Sequence, residues 1–461
     1  MTRSREAWVK FLTTRLVGLL VDTVVLAFAH WGAFALRFDF QEPVFGWRKV
    51  ALSFLTVCGA YLLLLVVCGC YRLAWRRISF REIPQFLLAA VLACAGLTLL
   101  RALTPSTDCI SLRPPFSIIF SSFVLASVGL IGWRLLWRWY ASETLNVADL
   151  LERGVRRMDS TAAVDFIRGK TVMITGAGGS IGSELVRQVA MAAPKTLLMV
   201  ERGENALYEI DREMRGKGLR VEMKPLMVDI NDVGRMEELF AEFRPEIVLH
   251  AAAYKHVPMV ELNPVEGERN NLGATKSLAE LSRQHGVARF VMISTDKAVN
   301  PVSVMGKTKL AAERAIMALN ADGATTSFCA VRFGNVLGSS GSVVPLFREQ
   351  IAKRQPVTVT HPAMKRYFMT VQEAVGLVLQ AASRHEKAIY TLDMGEPVKI
   401  VDLAEEMIRQ AGYKPYVDIP IVFTGIRPGE KLFEELDISE KSAYKTDMAR
   451  IYVTRTAGAN P

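Results

Sequence analysis

Four apolar runs crowd the first third of the chain, at about 16–36, 50–71, 86–103 and 116–137, and each approaches the ~20 residues that carry a helix across a bilayer. The reading is four membrane spans. A cleavable leader is the alternative for the first run, but Arg37, Phe38 and Asp39 follow it where small residues would mark cleavage. Orientation comes from the short loops. Arg3, Arg5, Lys10 and Arg15 precede the first run, and Arg72, Arg76, Arg77 and Arg81 separate the second from the third. The opposite loops carry fewer charges, in Arg37, Arg48, Lys49 and Arg113. The richer ends are expected in the cytoplasm. An even number of spans returns the chain there past Arg134 and Arg138. Asp22 and His30 fall inside the first run, where ionisable groups are expensive. Either they pair with neighbouring helices or they mark a path for substrate or ion, and the sequence names no partner.

The apolar content of 51% is concentrated in these runs, and the rest reads as an ordinary soluble domain. A net charge of +10 suits an anionic partner, either phospholipid headgroups or a phosphorylated substrate. No basic run with interleaved aromatics supports nucleic acid. Five of the six cysteines (Cys58, Cys68, Cys70, Cys94, Cys109) lie in the apolar third, leaving Cys329 alone, so no disulfide framework is expected. The organisation is a four-span membrane domain over 1–140, a polar linker over 141–165 with a short amphipathic run at Val147–Val155, and an enzyme domain over 166–461.

From Lys170 onward short apolar runs alternate with helical ones: Thr171–Thr175, Thr196–Val200, Ile247–Ala251, Phe290–Ser294 and Phe328–Arg332. That alternation predicts an α/β fold, a Rossmann-type doubly wound parallel sheet. The first strand runs into Gly176-Ala-Gly-Gly-Ser180-Ile181-Gly182 and then a helical segment. Gly176, Gly179 and Gly182 let the backbone approach a dinucleotide pyrophosphate, whose charge the free amides at the helix start, around Ser180 and Ile181, would meet. Glu201, ending the second strand, is placed to accept from the adenosine ribose hydroxyls, which favours NAD. Arg202 beside it could accommodate the 2′-phosphate of NADP instead. Asp229 and Ile230 would flank adenine, and Ala251 and Ala252 would let the chain pass close under the cofactor.

The next strand end is Ser294-Thr295-Asp296-Lys297, and Val304-Met305-Gly-Lys-Thr-Lys309 opens a helix. Ordinary short-chain dehydrogenases carry a Tyr four residues before the active-site Lys, with a Ser or Thr about ten residues earlier. Lys309 and Thr295 fit, but the Tyr position is Met305, which cannot exchange a proton. Either the domain binds nucleotide without turnover, or another group moves the protons. Asp296 and Lys297 favour the second reading, because adjacent acid and amine at the C-terminal end of a parallel strand sit where ligands bind. A solvated turn pair is the plain alternative.

The runs GAGGSIGSEL, HAAAYKHVPMVELNP, STDKAVNPVSVMGKTK, RFGNVLGSSGSVVPLF and RPGEKLFEEL, behind four apolar runs, resemble the membrane-bound nucleotide-sugar 4,6-dehydratases of bacterial polysaccharide biosynthesis, the CapD-type proteins. The likeness covers Lys170 to about Leu436, and the family shares Met in place of Tyr. Many members carry an extra nucleotide-fold domain between membrane and enzyme, for which this chain has no room. The resemblance implies dehydration of a UDP-N-acetylhexosamine, UDP-N-acetylglucosamine first, to its 4-keto-6-deoxy derivative at the bacterial inner membrane. It also implies a homo-oligomer, a small C-terminal substrate-binding subdomain and no metal.

In that chemistry Lys297, as the neutral amine, takes the carbon 5 proton and Asp296, protonated, delivers a proton to the departing carbon 6 hydroxyl. Thr295 would bond the carbon 4 oxygen and Lys309 would hold the nicotinamide ribose. For the UDP end the family pattern falls on Asn335, the segment around Val343, Arg366, Arg427 and Glu430. Arginine suits a diphosphate because its planar fork gives paired, charge-assisted bonds. A carbon 4 epimerase, a ketoreductase or a non-catalytic NAD(P)-binding membrane scaffold remain the alternatives.

Overall fold

The computed structural model describes residues 2–39, 47–71, 83–103, 114–143, 161–320, 325–436, 438–439 and 442–454. The amphipathic run 147–155 and most of the expected linker lie outside the described residues, as do the basic loop 72–81, Arg113 and Cys109. Two compact units divide the chain near residue 145.

The first unit holds four helices: α1 (Thr2–Arg37), α2 (Trp47–Val67), α3 (Ile83–Leu103) and α4 (Phe116–Glu143). Each packs on the next and α4 closes back on α1, around a core that includes Leu26, Tyr61, Leu65, Phe86, Ala93 and Leu130. Among the described residues three segments are long and apolar enough to span a membrane: Gly18–Arg37, Ile83–Leu103 and Phe116–Leu136. The second apolar run is shorter than expected, its apolar helix covering Ala51–Val67. The cause is local. Gly69 takes φ +76°, and the amides of Cys68, Gly69 and Cys70 turn back onto the carbonyls of Leu64, Val66 and Leu65, which closes the helix four residues before the apolar run ends.

Glycines let α1 and α4 approach closely: a Cβ on Gly129 would meet Val25 at 2.7 Å, and one on Gly32 would meet Leu125 at 3.3 Å. Asp22 and His30 have partners here. Asp22, fully buried, accepts from Arg134 Nη2 at 2.6 Å, Tyr71 Oη at 2.6 Å and Trp133 Nε1 at 3.2 Å. Arg134 also lies over the Phe86 ring at 4.2 Å. His30 bonds Ser53 at 2.9 Å and Ser122 at 3.4 Å. Both residues therefore tie helices together.

In the second unit the sheet has nine strands among the described residues. Six are β1 (Thr171–Thr175), β2 (Thr196–Glu201), β3 (Glu222–Met227), β4 (Ile247–His250), β5 (Arg289–Ile293) and β6 (Ser327–Arg332). They lie parallel in the order 3-2-1-4-5-6, the doubly wound arrangement. Ile389–Leu392 extends β6 in parallel, then Ile451–Thr454 and Ala443–Lys445 close the edge antiparallel. The buried strands read as unbroken apolar runs because both faces are covered. Val172 and Ile174 of β1 enter one core with Leu185, Val189 and Val378, whereas Met173 enters the other with Leu239, Leu278 and Ile316. Chain direction reverses its winding between β1 and β4, so a crevice opens beyond their C-terminal ends. Outside the main sheet, short ladders pair Asn335–Val336 with Phe368–Met369, Lys365–Arg366 with Val398–Lys399, and Val357–Val359 with Ile421–Phe423.

Candidate active site

The turn after β1 is built by glycine because chain meets chain there. Gly176 takes φ +70°, and a Cβ on it would stand 2.8 Å from the Ala252 backbone; on Gly182 a Cβ would lie 1.9 Å from the Gly176 carbonyl oxygen. Gly179 differs, its virtual Cβ meeting only that carbonyl, at 3.3 Å. The helix Ser180–Met191 starts at Gly179 with no side-chain cap and no acid in its first turn, so its leading amides suit an anion. Ile181 and Gly182 continue that turn, and Ser180 Oγ accepts from Ser340 N at 3.0 Å.

A cleft of about 180 Å³ lies beside this turn, lined by Gly176, Gly179, Glu201, Arg202, Asp229, Ile230, Ala251, Ala252, Tyr254 and Asn270 among others. Eight of the expected cofactor residues thus share one wall. The Glu201 carboxylate accepts from Gly178 N at 3.1 Å and Gly203 N at 2.9 Å, which fixes it at the β2 end. Asp229 is held by Asn231 at 2.9 and 2.8 Å. Arg202 is already engaged: it donates to Tyr254 Oη at 2.8 Å, stacks over that ring at 4.9 Å and lies 3.6 Å from Asp229. The Gly-lined turn, uncapped helix start and ribose-side carboxylate fit the adenosine diphosphate half of a dinucleotide.

Beyond β5, Thr295 caps a short 3₁₀ turn, Asp296–Ala298. Its hydroxyl donates to Asp296 Oδ1 at 2.9 Å and accepts from Lys297 N at 3.3 Å. Lys297 Nζ donates to the same Oδ1 at 3.0 Å and to Asn335 Oδ1 at 3.2 Å. Asp296 is 1% exposed, and its second oxygen, Oδ2, has no hydrogen-bond partner among the described residues. Gly334 lets the chain pass close to that oxygen, since a Cβ there would stand 3.0 Å from it and 3.2 and 3.3 Å from the Tyr367 and Met394 side chains. Burial alone would pull the Lys297 amine down, but the Asp296 and Glu434 carboxylates outweigh it and hold the amine above the usual lysine range. Lys297 thus rests as the ammonium, and its 3.0 Å bond to Asp296 Oδ1 is the line along which a proton would pass between the two.

Met305 is buried with Val257 and Val260 and offers no proton-exchanging group. Lys309, four residues on, is buried and donates to Ile293 O at 2.8 Å; burial, resisted by Glu313, lowers it to about 8.

The residues expected at the UDP end are distributed differently. Asn335 reaches the acid–amine pair, and Val343 opens the helix Val343–Ala352, whose Ser342 makes no side-chain cap bond. Arg366 is buried, and it donates to the carbonyls of Lys365, Leu432 and Lys431 at 2.8, 3.1 and 2.7 Å, so it clamps the segment around 431. Arg427 is exposed and binds Glu430 at 3.0 and 2.5 Å.

The residue pattern alone misses two features. Glu434, buried, lies 3.6 Å from Lys297. Asn271, in a π-helical turn Arg269–Gly273, brackets Tyr254 by accepting from its amide at 2.8 Å and donating to its carbonyl at 2.9 Å, which sets the loop under the cleft. The paired asparagines in an otherwise helical stretch were the available signal for the second.

Comparison with known proteins places this arrangement. The family described as "Polysaccharide biosynthesis protein" matches residues 172–456. The capsular polysaccharide biosynthesis protein CapD of Staphylococcus aureus is 52% identical over 294 residues, 63% of this chain and 49% of that protein. The chain thus spans about half the length of that relative. A UDP-N-acetylglucosamine 4,6-dehydratase (inverting) of Campylobacter jejuni is 32% identical over 62% of this chain and 83% of its own. The X-ray structure of Pen from Bacillus thuringiensis superposes with a TM-score of 0.58 at 32% identity, covering 63% of this chain and 90% of that one.

Proposed function

Because the chain belongs to the polysaccharide biosynthesis protein family, we propose that it is a nicotinamide-dependent UDP-N-acetylglucosamine 4,6-dehydratase, making a 4-keto-6-deoxy sugar nucleotide for a surface glycan. The observation that carries this reading is Asp296: one oxygen engaged by Thr295 and Lys297, the other buried, without a hydrogen-bond partner among the described residues and lying against Gly334, where a side chain would crowd it. A buried carboxyl oxygen left so is costly unless a ligand group completes it. A leaving hydroxyl would do so.

NAD, when bound, supplies the hydride acceptor for oxidation at carbon 4 and the donor for reduction at carbon 6; NADP is the alternative that Arg202 leaves open. The chain's own groups move the protons. Oxidation acidifies the carbon 5 proton, Lys297 takes it, and Asp296 gives its proton to the hydroxyl leaving carbon 6. Thr295 sits beside the carbon 4 oxygen, and Lys309 lends positive charge near the ribose. Met305 takes no part. Asn335, Ser342–Val343, Arg427 and Glu430 hold the uridine diphosphate, with Arg366 shaping that wall through the clamp on 431–432. The residues after about 335 would form a small substrate-binding subdomain.

The membrane domain would be residues 1–140, with α2 as a fourth span beside the three longer ones; a linker at 141–165 and the enzyme domain at 166–461 follow it. The chain would be a multi-pass protein of the bacterial inner membrane, in contact with its lipid, with the enzyme domain in the cytoplasm and assembled as a homo-oligomer. An epimerase would need the same cofactor wall but no acid for a leaving hydroxyl, so Asp296 disfavours it. Incubation of the purified chain with UDP-N-acetylglucosamine tests the reading. Loss of one water from the sugar nucleotide is expected; an isomer of unchanged mass, or no turnover, would overturn it.

A further inference from the structure

Glu434 lies in a segment without regular secondary structure, yet only 8% of the residue is exposed. Its Oε1 stands 3.6 Å from Lys297 Nζ and 3.8 Å from Arg366 Nε. Independent bonds fix it there. Arg366 holds the carbonyls of Lys431 and Leu432, Lys431 Nζ donates to Val299 O at 3.1 Å, and Asn300 Nδ2 donates to Glu435 Oε2 at 2.8 Å. The last two reach the stretch just after Lys297, so the segment and the amine are braced together. Filling this space would not need a charge, and a buried carboxylate is costly unless its partners are also buried.

The charged groups facing Lys297 are Asp296, Glu434 and Arg366, with the neutral Asn335 amide beside them. Fully ionised, the cluster is neutral. It stays neutral when one proton passes from Lys297 to Asp296, because Glu434 continues to balance Arg366. When Lys297 then takes the carbon 5 proton, the electron pair stays with the sugar as the enolate and the new ammonium faces an anion at 3.6 Å.

Resting on the dehydratase reading, the geometry points to Glu434 as a positioning residue that holds the Lys297 amine in place and makes it the stronger base. Removing its charge weakens the base. The consequence is a change in the pH at which Lys297 loses its proton.

The test is competitive acylation of Lys297 in the full chain in detergent, read as a function of pH by peptide mass, for wild type, Glu434→Gln and Glu434→Asp. Glu434→Gln should lower the labelling midpoint by about one pH unit, the low end of what an opposite charge within ~4–6 Å contributes. The acid limb of kcat/KM on UDP-N-acetylglucosamine should move the same way, with a lower plateau. Glu434→Asp keeps the charge one methylene further back, so its midpoint should fall between the other two, and it decides the matter if the Gln variant does not fold. Labelling needs no turnover: a shifted midpoint in a chain that dehydrates nothing would uphold the Glu434–Lys297 pairing and remove the reaction. A midpoint unchanged or raised in both variants would overturn the inference.

Discussion

Gly182→Ala and Gly179→Ala separate what the glycine turn does for the fold from what it does for the ligand. At Gly182 the added methyl would lie 1.9 Å from the Gly176 carbonyl oxygen, about 1.5 Å short of ordinary contact, and the atom it meets is backbone. The turn must open. Overpacking of this kind costs about 1–3 kcal/mol and more where backbone moves, which in a domain of this size lowers Tm by roughly 5–10 °C. At Gly179 the methyl would meet the same oxygen at 3.3 Å, which a shift of a few tenths of an ångström relieves, so Tm should fall by less than about 3 °C. Gly179 lines the cleft, however, and its side chain would take space the pyrophosphate needs. Both variants should lose roughly 100-fold in NAD affinity, about 2.7 kcal/mol. Calorimetric titration with NAD and thermal unfolding of the full chain in detergent read the two effects. A Gly182→Ala protein with wild-type Tm, or a Gly179→Ala protein with wild-type NAD affinity, would refute the close approach or the position of the site.

Asp22→Ala strands the buried Arg134 and should cost about 3–5 kcal/mol in detergent unfolding, whereas the double change with Arg134→Met should recover part of it; equal losses would show the two do not pair. Glu201→Ala removes the acceptor for Gly178 and Gly203 as well as the ribose partner, so NAD affinity should fall about 10-fold, and more than NADP affinity; equal effects on both cofactors would place the ribose elsewhere. Lys309 titrates near 8 in the folded chain and near 10.4 unfolded, so between those values the unfolded state binds more protons and stability should rise with pH. Lys309→Met should lack that rise in denaturant titrations, and identical pH slopes would mean the amine is not buried as described.

The glycine turn and the strand ends that line the cleft were legible in the sequence because their signals are local. Parallel strands covered on both faces must read as apolar runs, and a turn where Gly176 meets Ala252 and Gly182 meets Gly176 admits no side chain. The same holds for Asp296 and Lys297, adjacent in sequence and paired at 3.0 Å. Contacts made by tertiary packing were not legible. Arg134 lies 112 residues from Asp22, and helical periodicity does not set which helices touch. Glu434 stands in a stretch whose spacing names no partner, and bonds from Arg366, Lys431 and Asn300 made by tertiary packing bring it beside Lys297. Arg366 itself, expected at the diphosphate, is spent largely on backbone carbonyls. The end of α2 turned on one residue, Gly69, inside a run whose apolarity alone would have carried the helix further.

The central claim is that Asp296 and Lys297, with Met305 standing aside, carry the proton transfers of a 4,6-dehydration. Mass and NMR analysis of the product formed from UDP-N-acetylglucosamine in heavy water tests it most directly, run on wild type, Met305→Ala, Asp296→Asn and Lys297→Ala. The account predicts a product that has lost one water, carries solvent deuterium at carbon 5 and keeps at carbon 6 the hydrogen from carbon 4. It predicts that Met305→Ala retains much of the rate once the folded fraction is accounted for, while Asp296→Asn and Lys297→Ala each lose about 10²-fold or more. A product without deuterium at carbon 5, or a Met305→Ala enzyme as impaired as Lys297→Ala, would contradict it.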